Sequence, residues 1–144
     1  TTIGLLALCA LLQAGAAEAK WLTDLPKAQA QAKKENKQVL MDFTGSDWCG
    51  WCIKFNKEVL STPEFAAYAA KNLVLVEVDF PRKKEQSAEL KKANKALGSK
   101  YNVGGYPTFV VLDKDGKEAG RQGGYAPGGP TAFIAKLDGF KAKN

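Results

Sequence analysis

The chain has 144 residues, 45% of them hydrophobic and 25% charged. That length and mix suit one domain with a core of its own, not a disordered or fibrous chain. The formal charge is +6, from 21 basic and 15 acidic residues, and histidine is absent, which removes imidazole as a metal ligand and as a stabiliser of a thiolate.

The first twenty residues, TTIGLLALCALLQAGAAEAK, read differently from the rest. The apolar run 3–12 is too short to cross a bilayer, and Ala17-Glu18-Ala19 has the small-x-small form of a signal-peptidase site. We expect residues 1–19 to be the remnant of a secretory signal, lacking its initiator Met and basic start, and residues 20–144 to form the mature domain. Cys9 follows Leu8, which is not a small residue, so lipid attachment is not expected. Cleavage would leave two cysteines, Cys49 and Cys52, and a charge of +7 once Glu18 is lost. A periplasmic or otherwise extracytoplasmic location, where disulfides persist, is the expectation.

Along the chain, Asp24 caps a predicted helix over 25–36, with Pro26 tolerated in its first turn. Residues 38–44 (QVLMDFT) read as a buried strand. Gly45 and Ser46 then turn into S-D-W-C-G-W-C-I-K-F. Ile53, Phe55, Val59 and Leu60 predict a helix over 49–60, interrupted by Ser61-Thr62-Pro63, with a second helical piece over 64–71. Residues 73–79 (LVLVEVD) form a second strand. In the lysine-rich segment 81–100, Leu90, Ala93, Leu97 and Tyr101 recur at helical spacing, predicting one apolar face and one solvated lysine face. No aromatic residues interleave with those lysines, so no nucleic acid is expected as a partner. Residues 106–112 are a third strand, Asp113-Lys-Asp-Gly116 signals a hairpin, and 117–122 is the returning strand. A Gly/Pro-rich turn over 123–130 leads to a last helix, with Phe133, Leu137 and Phe140 on one face and Ile134 beside it. Early alternation and a late hairpin predict a mixed sheet flanked by helices.

Two cysteines one helical turn apart fit a metal clip, a structural staple or a redox switch. Structural zinc takes four Cys or His ligands, and one mature chain offers only Cys49 and Cys52, so no metal is expected. A staple across four residues contributes roughly 2 kcal/mol, against about 3 for a fifteen-residue loop, a poor placement for stability. The redox reading uses what the others leave idle. Cys49 follows a strand and turn at a helix start, where the macrodipole and free backbone N–H groups favour a thiolate. It should be the exposed sulfur. Cys52, on the same helical face and further inside, can attack a mixed disulfide and release the partner.

At this point the sequence resembles the thioredoxin superfamily over nearly all of residues 24–140. The resemblance rests on V-L-M-D-F (39–43), W-C-G-W-C-I-K-F (48–55), G-G-Y-P-T-F-V-V-L (104–112) and Gly120 after the hairpin. It is similar to exported thioredoxin-like proteins and to the C-terminal domain of the bacterial transmembrane disulfide reductase. The resemblance implies an α/β thioredoxin fold, a central mixed sheet flanked by helices, with a cis-Pro loop facing the N-terminus of the CxxC helix. It also implies that Cys49 attacks and Cys52 resolves, their redox-active disulfide being the only cofactor. Pro107 would be the cis-proline, allowing Tyr106 to present backbone groups to a substrate strand. Asp42 would be the buried acid behind Cys52, although one extra residue separates it from the motif. Trp48 and Trp51, either side of Cys49 and Gly50, would form an apolar rim for a protein partner, unless Trp51 packs on the domain's own surface.

Three departures from the family bear on function. Gly50-Trp51 replaces both the Gly-Pro of reducing thioredoxins and the His-containing dipeptides of strong oxidases and isomerases, which points away from a strong oxidant. Glu77 stands where thioredoxins often carry lysine, and beside Asp42 it would raise that acid's pKa; otherwise it faces solvent. The insertion 81–95 reads as a longer solvated helix, with docking of a partner as the alternative. The expected function is an exported thiol–disulfide oxidoreductase working as a reductase on protein disulfides. It would use a separate protein electron donor or acceptor, remain a monomer, and have no membrane span after signal cleavage. The alternatives are an oxidase or isomerase of the same fold, and a non-catalytic binding module with a structural disulfide.

Overall fold

Two strands whose apolar residues run consecutively must have both faces covered. In the computed structural model, which describes residues 18–141, they lie inside a five-stranded sheet of order β1-β3-β2-β4-β5. The strands are β1 (Trp21–Leu22), β2 (Gln38–Thr44), β3 (Leu73–Asp79), β4 (Thr108–Leu112) and β5 (Glu118–Gly123). All seven residues of β2 are buried. It pairs with β3 in parallel, from Gln38↔Leu73 to Thr44↔Asp79, and with β4 antiparallel, while β4 and β5 form the hairpin around Gly116. Of the signal-peptide reading of residues 1–19, residues 1–17 lie outside the described residues.

Alternation along β2 sorts the core into two halves. Val39, Met41 and Phe43 face α1 (Leu25–Glu35), where Ala28 and Ala32 are fully buried against them. Leu40 faces the other way, into a cluster with Phe55, Phe65, Phe109, Phe133 and Leu137. That second layer is built by α2 (Gly50–Phe55), α3 (Pro63–Asn72) and α5 (Gly129–Lys141). Phe55, Phe109 and Phe133 meet pairwise at centroid distances of 4.7 to 5.1 Å. Asp42 and Thr44 share the side of Leu40, so the strand aims its one acid towards the cysteine helix. Among the described residues, no helix is long and apolar enough to cross a membrane.

Several boundaries differ from expectation. The helix predicted over 49–60 is α2 followed by a π-helical turn, Asn56–Leu60, closed by the Ser61 N–H on the Asn56 carbonyl at 2.8 Å. The wider turn brings both Val59 and Leu60 against the sheet, at 1% and 4% exposure. Ile53, one of the apolar residues that predict this helix, is 49% exposed because α2 turns that face outward. The third strand starts at Thr108, not residue 106, since Pro107 has no N–H for the ladder. The segment 81–100 becomes helical only at Ala88, where Ser87 accepts the Leu90 N–H at 3.1 Å, and runs as α4 to Lys100. On α4 Ala93 is exposed and Asn94 is buried instead, giving its amide to the Asp79 carbonyl at 3.0 Å. The edge strand β1, two residues long, is too short to carry a periodic signal; it forms because β3 offers a free parallel edge at Leu75 and Val76.

Gly120 lets α5 close on the hairpin, since a Cβ there would overlap the Phe140 ring. Gly120→Ala is expected to cost about 1–3 kcal/mol by overpacking. The midpoint of urea unfolding should fall with little change in slope; an unchanged midpoint would mean that Phe140 swings aside freely.

Candidate active site

The end of β2 is drawn into a turn by Asp79. Its carboxylate accepts the Ser46 N–H at 3.0 Å and the Ser46 hydroxyl at 2.5 Å. Gly45 then accepts the Cys49 N–H at 2.9 Å, and Cys49 stands as the N-cap of α2. Its Sγ accepts the Cys52 N–H at 3.3 Å, so the free donor of the helix start is aimed at the sulfur. Cys49 and Cys52 form a disulfide, with Cα atoms 5.2 Å apart. The cis Tyr106–Pro107 loop lies against it, the Tyr106 carbonyl oxygen 3.8 Å from Cys49 Sγ. Cys52 lies inside as expected, at 5% exposure, but the expectation of an exposed Cys49 is corrected: it is 7% exposed, because the cis-proline loop lies against it.

Asp42 is buried, and its Oδ1 has no hydrogen-bond partner among the described residues. It faces Glu77 across the β2–β3 ladder. Asp42, Glu77, Thr44, Ser46 and Cys52 all line one open cavity of about 650 Å³. The carboxyl of Asp42 is pushed up to about 8, first by burial and then by the charges of Glu77 and Asp79. Glu77 is itself raised, by burial and then by Asp79, and Lys84 opposes this from 4.0 Å. An acid that holds or releases a proton near neutral pH, on the same cavity wall as the inner cysteine, is positioned to exchange protons with it through water.

The two tryptophans part company. Trp51 is 59% exposed and packs at a tilt on Tyr125, ring centroids 5.0 Å apart, so it both packs on the domain's surface and presents a broad face. Trp48 is half-buried: its indole N–H donates to the Phe80 carbonyl at 2.8 Å, and the Arg82 guanidinium lies 3.6 Å over the ring. The exposed apolar rim is therefore Trp51 with Ile53, and Trp48 closes the opposite side edge-on to Tyr106. Gly50, between the cysteines, leaves open space where a side chain would stand. Sequence reasoning missed Asp79, Asp47 and Arg82. Their only local signal is charge, and each acts on a segment more than thirty residues away.

The thioredoxin-like domain family model matches residues 25–141. The chain belongs to this family. It is 39% identical over 122 residues to the disulfide bond reductase DsbH of Chlamydia pneumoniae, spanning 85% of this chain and 72% of that protein. A solved structure of a DsbH oxidoreductase superposes with a TM-score of 0.80 at 38% identity, covering 86% of this chain and 85% of the other. The thiol:disulfide interchange protein DsbD of Cronobacter sakazakii is 38% identical over 95 residues, but this chain spans only 15% of it. This member of the thioredoxin-like family is a thiol–disulfide oxidoreductase whose reactive group is its own CxxC disulfide.

Between the ordinary carboxylate range and about 8, folded Asp42 keeps a proton that the unfolded chain has released. Folding stability therefore falls as pH rises through that window. Asp42→Asn should remove this slope and gain on the order of 2 kcal/mol over the wild type at the upper end of the window. Urea unfolding across the pH range checks it; parallel curves for the two proteins would show that Asp42 titrates normally.

Proposed function

We propose that the protein is an exported reductase of protein disulfides, with residues 1–19 removed as a signal and the domain from Lys20 onward working outside the cytoplasm. The observation that carries the direction is the charge around the pair. Cys49 Sγ accepts a hydrogen bond from the Cys52 N–H, the Tyr106 carbonyl oxygen lies 3.8 Å from it with no proton to give, and Asp42, Glu77 and Asp79 are grouped behind the motif. A strong oxidant owes its potential to a stabilised reduced form. Here a thiolate meets one N–H and a helix end, with negative charge behind it. The similarity to a protein named a disulfide bond reductase supports the same direction.

In the reaction, the Cys49 thiolate attacks one sulfur of a substrate disulfide. That S–S bond breaks, and the departing sulfur takes a proton. Cys52 passes its proton to Asp42 in its ionised form and attacks Cys49 Sγ. The second substrate sulfur leaves as a thiolate and takes up that proton, and the Cys49–Cys52 disulfide closes. Two electrons go to the substrate, and a separate protein donor must return two to the pair. Trp48, Gly50 and Trp51 border the approach, and Tyr106 with Pro107 offers backbone groups to an extended substrate segment.

Equilibration with thiol buffers, followed through tryptophan fluorescence, is expected to give a reduction potential near roughly −270 mV. A value of about −120 to −180 mV would overturn the direction and indicate an oxidase or isomerase. In cells, Cys52→Ser should accumulate mixed disulfides with extracytoplasmic proteins, which Cys49→Ser should not form. Capture of cytoplasmic proteins alone would overturn export, and equal capture by both variants would overturn the attacking role of Cys49.

A further inference from the structure

The segment between β3 and α4 is pinned beside the motif by a residue of the motif's own turn. Asp47 accepts backbone N–H groups from Arg82, Lys83 and Lys84 at 3.0, 2.8 and 2.8 Å. Three donors on one carboxylate fix the loop's backbone, and they hold the Asp47 carboxyl down to about 2. The three bonds of the tether are made by backbone N–H groups, which leaves the side chains of the loop to other contacts.

Those side chains are cationic and uneven in their duties. Lys84 turns to the buried Asp79 carboxylate at 3.0 Å. Arg82 lies flat on Trp48, and Lys83 is exposed; neither has an ion-pair partner among the described residues. Glu85 is the one acid of the stretch 80–86. On the other side of Phe80, a groove of about 360 Å³ runs along Tyr106, with Lys95, Ser99 and Val103 in its walls. Phe80 and Tyr106 pack at 5.1 Å, and the Tyr106 carbonyl reaches the Cys49 sulfur. Arg82 and Lys83 on the tethered loop and Lys95 in the groove wall are thus cations on elements that meet at Phe80 and Tyr106, beside the sulfur.

We propose that the loop 80–84, tethered by Asp47, is a specificity element that selects protein disulfides whose cysteines are flanked by acidic side chains, read by Arg82, Lys83 and Lys95. The inference rests on the reductase reading and adds the class of substrate to it. An ordinary solvated lysine surface would place its cations without a tether; here the backbone is fixed by three bonds and the guanidinium is held in place by an indole. Cation pairing at a rim of this kind speeds encounter and fades with salt.

The test uses three peptide disulfides with the same core and acidic, neutral or lysine flanks. Wild type should reduce the acidic peptide with a kcat/KM about 5-fold above that of the lysine peptide at low ionic strength. High salt should erase the difference. Arg82→Glu with Lys83→Glu should reverse the order, while Arg82→Lys with Lys83→Arg keeps it. The rate of mixed-disulfide formation by Cys52→Ser gives the same ranking without turnover. Equal rates for the acidic and lysine peptides in wild type, or a preference unmoved by salt or by charge reversal, would overturn the proposal. Should none of the peptides be turned over, the reductase reading fails. Capture by Cys52→Ser then still ranks the flanks and decides the surface separately.

Discussion

The parallel register of β2 on β3 is the constraint from which the site follows. With Gln38 opposite Leu73, alternation puts Asp42 opposite Glu77 and Thr44 opposite Asp79, all on the side that carries the cysteine helix. A slip of one residue would turn Asp42 into the α1 layer and bring Phe43 to the sulfur. What holds this register is hydrophobic: β2 buries every residue, and Val39, Met41 and Phe43 on one face balance Leu40 on the other. The acids are carried into position by apolar neighbours with which they share a strand.

That placement sets stability against chemistry. A buried carboxyl with an unpartnered oxygen is costly, and two further acids nearby make its ionised form costlier still. An apolar side chain at 42 would suit the sheet better. The compensation lies in the aromatic cluster of the same layer, where Phe55, Phe109 and Phe133 interlock, and in the opening of Asp42 to a cavity rather than to dry protein. Asp79 escapes the same conflict because Ser46 and Lys84 satisfy its carboxylate. Asp42 and Asp79 thus differ in their surroundings: the Asp79 carboxylate shapes the turn that presents Cys49, and the Asp42 carboxyl is buried with its pKa pushed up to about 8.

Where the signal is local, much of this is legible in the residues alone. The strands 38–44 and 73–79 have the bounds that their composition predicts, because a continuous β-branched and aliphatic run of that length suits a buried strand far better than a helix. Asp24 as a cap, the DKDG turn and the Phe133/Leu137 face follow from short-range chemistry. The departures share a cause. Ile53 is one of the apolar residues that predict its helix, yet spacing alone does not say which face of a short helix meets the sheet. Ala93 and Asn94 exchange places because the carbonyl of Asp79, fifteen residues before Asn94, takes its amide. Trp48 would look outward like Trp51, but Phe80 and Arg82 claim its ring.

By itself the sequence determined the helices and the four longer strands in their order, the placing of Cys49 and Cys52 at a helix start, and the family to which the motifs belong. These depend on residues within about one turn or one strand of each other, where propensity and periodicity act directly. Only the tertiary structure decided that Glu77 faces Asp42, that Asp47 tethers the loop at 82–84, and that the rim is Trp51 with Ile53. Each of those contacts joins segments through strand register or loop closure. A charge or an indole takes its role from the partner the fold brings to it, and no local pattern encodes which partner that is.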